Sequence, residues 1–238
     1  MSRRLAVCMA SVLFCFGLLV TLYPHINGER LERESLSEAA SFIAAHPATP
    51  DISSSEAAEQ PNAELYEAMR EYNRCIYEEK QSRLSDPLAY ETAPIDLKEY
   101  GIIDGIVAVL TIPALELEMP IYLGASYDNM AAGAAVLGQT SLPIGGVDTN
   151  CVIAGHRGWN GAAYFRYIDQ LQPGDEVFVT NIWETLNYTV SEIQVIDPND
   201  VSNVFIQDGR DLLTLLTCHP YASGGLYRYL VVCERSKP

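Results

Sequence analysis

Residues Leu5 to Tyr23, LAVCMASVLFCFGLLVTLY, run for 19 positions without a charge. At a helical rise of about 1.5 Å per residue, this run nearly spans the roughly 30 Å hydrocarbon core of a bilayer. A lone spanning segment has to be helical, because lipid offers its backbone no hydrogen-bond partners. Arg3 and Arg4 precede the run, whereas Glu29, Glu32 and Glu34 follow it. The positive-inside rule therefore puts the short N-terminus in the cytoplasm and the remaining chain outside. An uncleaved signal anchor is favoured over a cleaved signal peptide: the usual h-region is shorter, and no small-x-small site directly follows. A buried core helix fits neither the arginine flank nor the acidic stretch behind it. The closing CERSKP adds no second apolar span, so one crossing is expected.

The acidic excess narrows the partners. Thirty-one acidic against 15 basic residues give a formal charge of -16. Phosphate neutralisation needs surplus Lys and Arg, so no nucleic-acid partner is expected. Apolar residues make up 48% of the chain and charged residues only 19%. Such a composition folds rather than remaining a disordered polyanion. Of six cysteines, Cys8 and Cys15 lie in the apolar run; Cys75, Cys151, Cys218 and Cys233 form no C-x-x-C pair and no zinc-like spacing. A disulfide between Cys151 and Cys233 has no support in spacing, and both are expected as buried thiols. No metal, nucleotide or other cofactor is expected.

Four segments follow. Residues 1–23 are the cytoplasmic tip and anchor, and 24–61 an acidic stalk. Its first part, GERLERESLSEAASFIAA, reads as a helix at the membrane surface, and HPATPDISSSEAAEQPN as a flexible spacer. Residues 62–100 hold a helix over 62–84 and a lid-like loop. Leu65, Met69, Tyr72 and Ile76 mark the helix's apolar stripe, with Asn62 as its N-cap. Residues 101–238 are β-rich: IVAVLTI, NCVIAG, DEVFVT, TLNYTVSEIQVI, DLLTLLTC and LYRYLVVCE are short, β-branched or aromatic, and bounded by turn residues. ASYDNMAAGAA and AAYFRYIDQL read as short helical turns. Such spacing without regular helix alternation predicts a closed β-barrel.

Three positions carry potential chemistry. Cys218 ends the apolar strand LTLLTC at a barrel rim, His156 opens the Gly-flanked loop GHRGWNG, and Arg228 follows ten residues after Cys218 on the adjoining strand. A thiol is a strong nucleophile only as thiolate, a form that a neighbouring imidazole or guanidinium favours. Arg228 also suits donation to an oxyanion. Singly, each has a plain structural reading: a small buried hydrophobe, a core or surface histidine, an ion-pair partner. His219 is the local rival to His156, but successive strand residues face opposite ways, so His219 should turn from Cys218 unless Pro220 bends the chain. Trp159 and Tyr164 either line a groove near His156 or pack in the core.

TLLTC at 214–218 resembles the Thr-Leu-x-Thr-Cys signature of sortases, with Arg228 where that family has its arginine. AGHRG at 154–158, PIYLGAS at 120–126 and SLPIGG at 141–146 are similar to further sortase segments, and the likeness covers about 101–235. It implies the eight-stranded sortase barrel with short helices, and His156, Cys218 and Arg228 as the catalytic histidine, cysteine and arginine. It also places Thr217 in substrate binding. Within the family, GIVAVLTIPALELEMPIYLGAS and SDPLAY resemble the pilin-polymerising class C. SDPLAY matches its Asp-Pro-aromatic lid, so Asp86, Pro87 and Leu88 are read as a lid. Leu88 departs from the aromatic, for which Tyr90 is a substitute; the missing C-terminal span and His219 are further departures.

The implied reaction is transpeptidation at a Leu-Pro-x-Thr-Gly-type sorting signal of a pilin or surface protein. Cys218 forms a thioester at the Thr carbonyl, His156 protonates the departing amine, and an acceptor amine resolves the thioester. That amine is a pilin lysine in class C, or a cell-wall precursor in a wall-anchoring sortase. A non-catalytic module that holds a sorting peptide and a thiol hydrolase stay open as alternatives.

Overall fold

The computed structural model describes residues 3–47, 61–82, 84 and 94–236. The described residues hold eight strands: β1 (Ile106–Ile112), β2 (Leu117–Leu123), β3 (Ala134–Val136), β4 (Thr149–Ala154), β5 (Glu176–Asn181), β6 (Thr185–Ile196), β7 (Asp211–His219) and β8 (Tyr227–Arg235). They close into a barrel in the order β1-β2-β3-β4-β7-β8-β6-β5. The expected strands are present, and β2 and the short β3 complete the eight. The segment ASYDNMAAGAA, expected as a short helical turn, divides into α3 (Tyr127–Ala132) and β3, because Gly133 ends the helix in an extended conformation.

Neighbours β4 and β7 run parallel, so the chain must cross over between them, and it does so through the His156 loop, β5 and β6. All six residues of β4 are buried, as a strand covered on both faces requires. Alternation assigns the faces. Cys151, Ile153, Leu213, Leu215, Val231 and Cys233 join the barrel's interior core. Val152, Leu216 and Leu230 point outward into a second cluster with Leu84, Ile196 and Val204.

Helix α2 (Ala63–Glu78) buries Leu65, Met69 and Ile76, as the stripe predicts. Asn73 shares that stripe: its side chain accepts from the Leu142 N–H at 2.7 Å and donates to the Leu142 carbonyl at 3.3 Å. Asn62 bounds the helix in a left-handed conformation without a side-chain cap bond, so the expected capping does not occur.

The expected stalk over 24–61 is corrected in its first half. The acidic segment is helical, but it continues the apolar run without a break as α1 (Arg3–Ala45), with Pro24 inside. Instead of lying free, its second half packs on β1 and β2. Ala39 and Phe42 are buried, and the acids find barrel donors: Glu32 accepts from the Ala163 N–H at 2.7 Å, and Glu38 accepts from the Tyr122 hydroxyl at 2.5 Å. Burial, then the Glu38 carboxylate, pushes the Tyr122 phenol well above its ordinary range. The apolar first half is exposed from Val7 to Tyr23, and this is the one helix among the described residues long and apolar enough to cross a membrane.

Two glycines make this docking possible. A Cβ on Gly161 would lie 1.8 Å from the Pro24 carbonyl oxygen, and one on Gly28 would lie 2.3 Å from the Gly161 carbonyl carbon. Gly161 also has φ +99°, where an L side chain is strained. Gly161→Val should therefore destabilise the folded chain by roughly 1–3 kcal/mol from backbone strain alone. It should also expose residues 28–45 to protease. Thermal melting and limited proteolysis of the full chain read both; an unchanged cleavage pattern would show that the close approach does not hold α1.

Candidate active site

The barrel brings the three singled-out residues to one rim. Ala154 pairs with Leu216, and beyond the formal end of β4 the Gly155 N–H donates to the Leu216 carbonyl at 3.1 Å. The Thr217 hydroxyl donates to the Gly155 carbonyl at 2.7 Å. This stitching carries the parallel register one step further and sets His156 level with Cys218. On the other side, Cys218 is the direct antiparallel partner of Arg228. Cys218 thus occupies the middle of three adjacent chain segments, spaced about 4.8 Å apart. All three residues fall on the outward alternation set by Val152, Leu216 and Leu230.

Gly225 measures how close the thiol and guanidinium lie. A Cβ there would be 2.9 Å from Arg228 Nη1 and 3.3 Å from Cys218 Sγ. Nη1 donates to the carbonyls of Gly225 at 2.9 Å and Tyr227 at 3.2 Å, which fixes the guanidinium over the turn. Among the described residues, Nε and Nη2 make no hydrogen bond, so these donors are available to an incoming anionic oxygen. The His156 ring stacks on Trp159, with centroids 4.4 Å apart and planes at 10°. Burial disfavours the imidazolium and lowers the His156 pKa. The resting imidazole is therefore a neutral proton acceptor near neutral pH.

The other barrel cysteines differ. Cys151 and Cys233 both pair with Leu213, one from each side, which puts them two strand spacings apart and beyond disulfide reach. Both are free and buried, and burial pushes both thiols up. Cys218 is partly exposed.

Thr217, expected at the substrate, is 1% exposed and faces inward, its hydroxyl spent on Gly155. That bond ties it to the segment that carries His156. His219 also lies on the inward face, where Arg157 Nη1 donates to its Nδ1 at 2.6 Å. Trp159 lines the His156 side, while Tyr164 is buried and its hydroxyl donates to the Ala131 carbonyl at 2.8 Å. Asp86, Pro87, Leu88 and Tyr90 lie outside the described residues. A cavity of about 860 Å³ between α2 and residues 144–149 sits at the opposite end of β7, by Arg235, and contains none of the three. No cluster able to hold a metal occurs among the described residues.

A family model described as "Sortase domain" matches residues 110–236. The chain belongs to the sortase family. Solved structures similar to this family member include sortase C1 of GBS pilus island 1, with 26% identity and a TM-score of 0.70 over 86% of this chain and 93% of that one. Another is Clostridium perfringens sortase C with the C-terminal cell wall sorting motif, with 28% identity and a TM-score of 0.68 over 86% and 100%. Curated relatives include sortase A of Listeria monocytogenes, 28% identical over 116 residues (48% of this chain, 50% of that protein), and sortase D of Bacillus subtilis, 27% identical over 131 residues (53% and 62%). The chain spans about half to three-fifths of these curated relatives. The eight-stranded sortase fold, with class C structures among its neighbours, agrees with the expectation from sequence.

The lowered His156 pKa is open to direct measurement. NMR titration of its ring should give a midpoint below the ordinary value of about 6.5. Trp159→Ala, which opens the ring to water, should move that midpoint upward. A midpoint at or above the ordinary value in the native chain would contradict the desolvated site.

Proposed function

We propose that this chain is a membrane-anchored cysteine transpeptidase that cleaves a Leu-Pro-x-Thr-Gly-type sorting signal between Thr and Gly. The observation that carries this reading is the single rim on which His156 and Arg228 flank Cys218. Sγ attacks the Thr carbonyl carbon as the thiol proton passes to the neutral imidazole of His156. Arg228 donates to the resulting oxyanion, where a fixed donor is worth most because it needs no reorganisation. Collapse breaks the Thr–Gly bond, and His156 gives its proton to the departing Gly amine. An acceptor amine then attacks the thioester, its proton passes back through His156 to sulfur, and the new amide leaves.

The preferred acceptor in this reading is a pilin lysine. The likeness to a sortase C of a pilus island supports it, and the chain's charge of -16 attracts a cationic side chain. The likeness to sortase A supports a second reading, in which the amine belongs to a cell-wall precursor. The exposed apolar half of α1 serves as the single-pass anchor, with Arg3 and Arg4 inside and the barrel outside. Asp86, Pro87 and Leu88 are proposed as a lid over Cys218. Leu84, buried in the outward cluster with Leu216 and Leu230, delivers the chain to the same face of the barrel.

Incubating the full chain with a Leu-Pro-Ala-Thr-Gly peptide and a lysine-bearing peptide should give a joined product by mass. Cys218→Ala should lower its rate on the order of 1,000-fold or more, and His156→Ala on the order of 100-fold. Asp86→Ala should speed the first turnover. A product bearing water instead of the amine would favour a hydrolase, and activity without Cys218 would end the reading.

A further inference from the structure

The three rim residues are each followed by one that faces the barrel interior: Arg157 after His156, His219 after Cys218, and Tyr229 after Arg228. These followers meet. Arg157 Nη1 donates to His219 Nδ1 at 2.6 Å, and the guanidinium carbon lies 5.5 Å from the Tyr229 ring centroid. The His219 and Tyr229 rings are 5.4 Å apart. Nη2 of Arg157 donates to, and pairs with, Asp169 in the 3-10 turn that closes the His156 loop. The Arg157 side chain is only 5% exposed, and its Nε has no partner among the described residues.

A buried cation costs several kcal/mol of desolvation unless its partners compensate. Here one carboxylate and one imidazole accept from it, and one aromatic ring lies beneath it. Apolar residues at the mouth of the barrel would close it without that cost. What the cation adds is a fixed geometry: its planar fork holds donors in set directions, so each bond it makes fixes a neighbour's position. Because Arg can only donate, His219 Nδ1 has to accept, which sets its tautomer with the proton on Nε2.

From this arrangement we infer that Arg157, with His219 as its acceptor, is a positioning residue that locks the His156 loop, the tip of β7 and the start of β8 in mutual register from inside the barrel. The inference rests on the reading of Cys218, His156 and Arg228 as the catalytic set. Successive residues of β7 and β8 point to opposite faces, and Arg157 directly follows His156 in its loop, so holding the inner three in place constrains the outer three. A shift of about 1 Å between reacting groups can cost on the order of 100-fold in rate. The lock therefore acts on turnover more than on peptide binding.

The test uses the full chain and a fluorogenic Leu-Pro-Ala-Thr-Gly peptide. His219→Leu keeps bulk but removes the acceptor, whereas His219→Asn offers an amide oxygen near the place of Nδ1. His219→Leu should lower kcat at least tenfold with KM within about twofold, and His219→Asn should recover most of that loss. Asp169→Asn, at a side chain 42% exposed, removes the counter-charge without disturbing the core and should also lower kcat alone. It serves as the test if His219→Leu does not fold. Equal losses in the Leu and Asn variants, or wild-type kcat in both His219→Leu and Asp169→Asn, would overturn the lock. Cys218→Ala runs alongside: activity in that protein would overturn the catalytic reading itself, whereas its inactivity beside unaffected inner variants would overturn only the lock.

Discussion

The parallel pairing of β4 with β7 is the constraint from which the rest follows. It forces a crossover, and it brings a loop and a strand tip that are distant in sequence to one level of one rim. β8 then returns antiparallel beside β7 and supplies the cation as a direct cross-strand partner. The thiol needs no special residue of its own; its surroundings come from the two adjacent segments. On β7 and β8, strand alternation sends Cys218 and Arg228 outward and His219 and Tyr229 inward, so the rim and the Arg157 cluster are two faces of one set of backbones.

The energetic weight lies in different places on the two faces. Outside, the polar groups stay partly solvated, and the carbonyls of Gly225 and Tyr227 hold Arg228 in place. Inside, Arg157 is taken out of water and depends on the carboxylate of Asp169. Along the flank, α1 couples the apolar N-terminal run directly to the His156 loop: Asn27 donates to the carbonyl of Asn160, within that loop, at 3.0 Å. The apolar run and the His156 loop are thus joined by a docked helix.

The amino-acid pattern carries the barrel well, because a half-buried strand writes its alternation into the chain. Leu186, Tyr188 and Val190 are buried as that alternation predicts. Cys218, His156 and Arg228 stand out in the sequence mainly through the resemblance of TLLTC and AGHRG to sortase segments, since residue type and spacing alone leave each with a plain structural reading. β3 escaped because the short run from Ala134 to Val136 cannot show a period. The docking of α1 escaped for a different reason. Its charged surface reads as solvated, and its partners, among them Gly161, Ala163 and Tyr122, lie far along the chain. The Arg157 plug likewise depends on pairings between distant segments, although its position beside His156 and the cross-strand neighbours of Cys218 hint at it.

The central claim is that one sulfur, flanked by an imidazole and a guanidinium, becomes acylated. Acid quenching of the full chain during turnover of a Leu-Pro-Ala-Thr-Gly peptide, followed by mass mapping of its cysteine-containing fragments, tests that claim most directly. The account predicts a Leu-Pro-Ala-Thr acyl group on the fragment bearing Cys218 and none on those bearing Cys151 or Cys233. Acylation of another cysteine, or cleavage with no acyl adduct on Cys218 under trapping conditions, would contradict it.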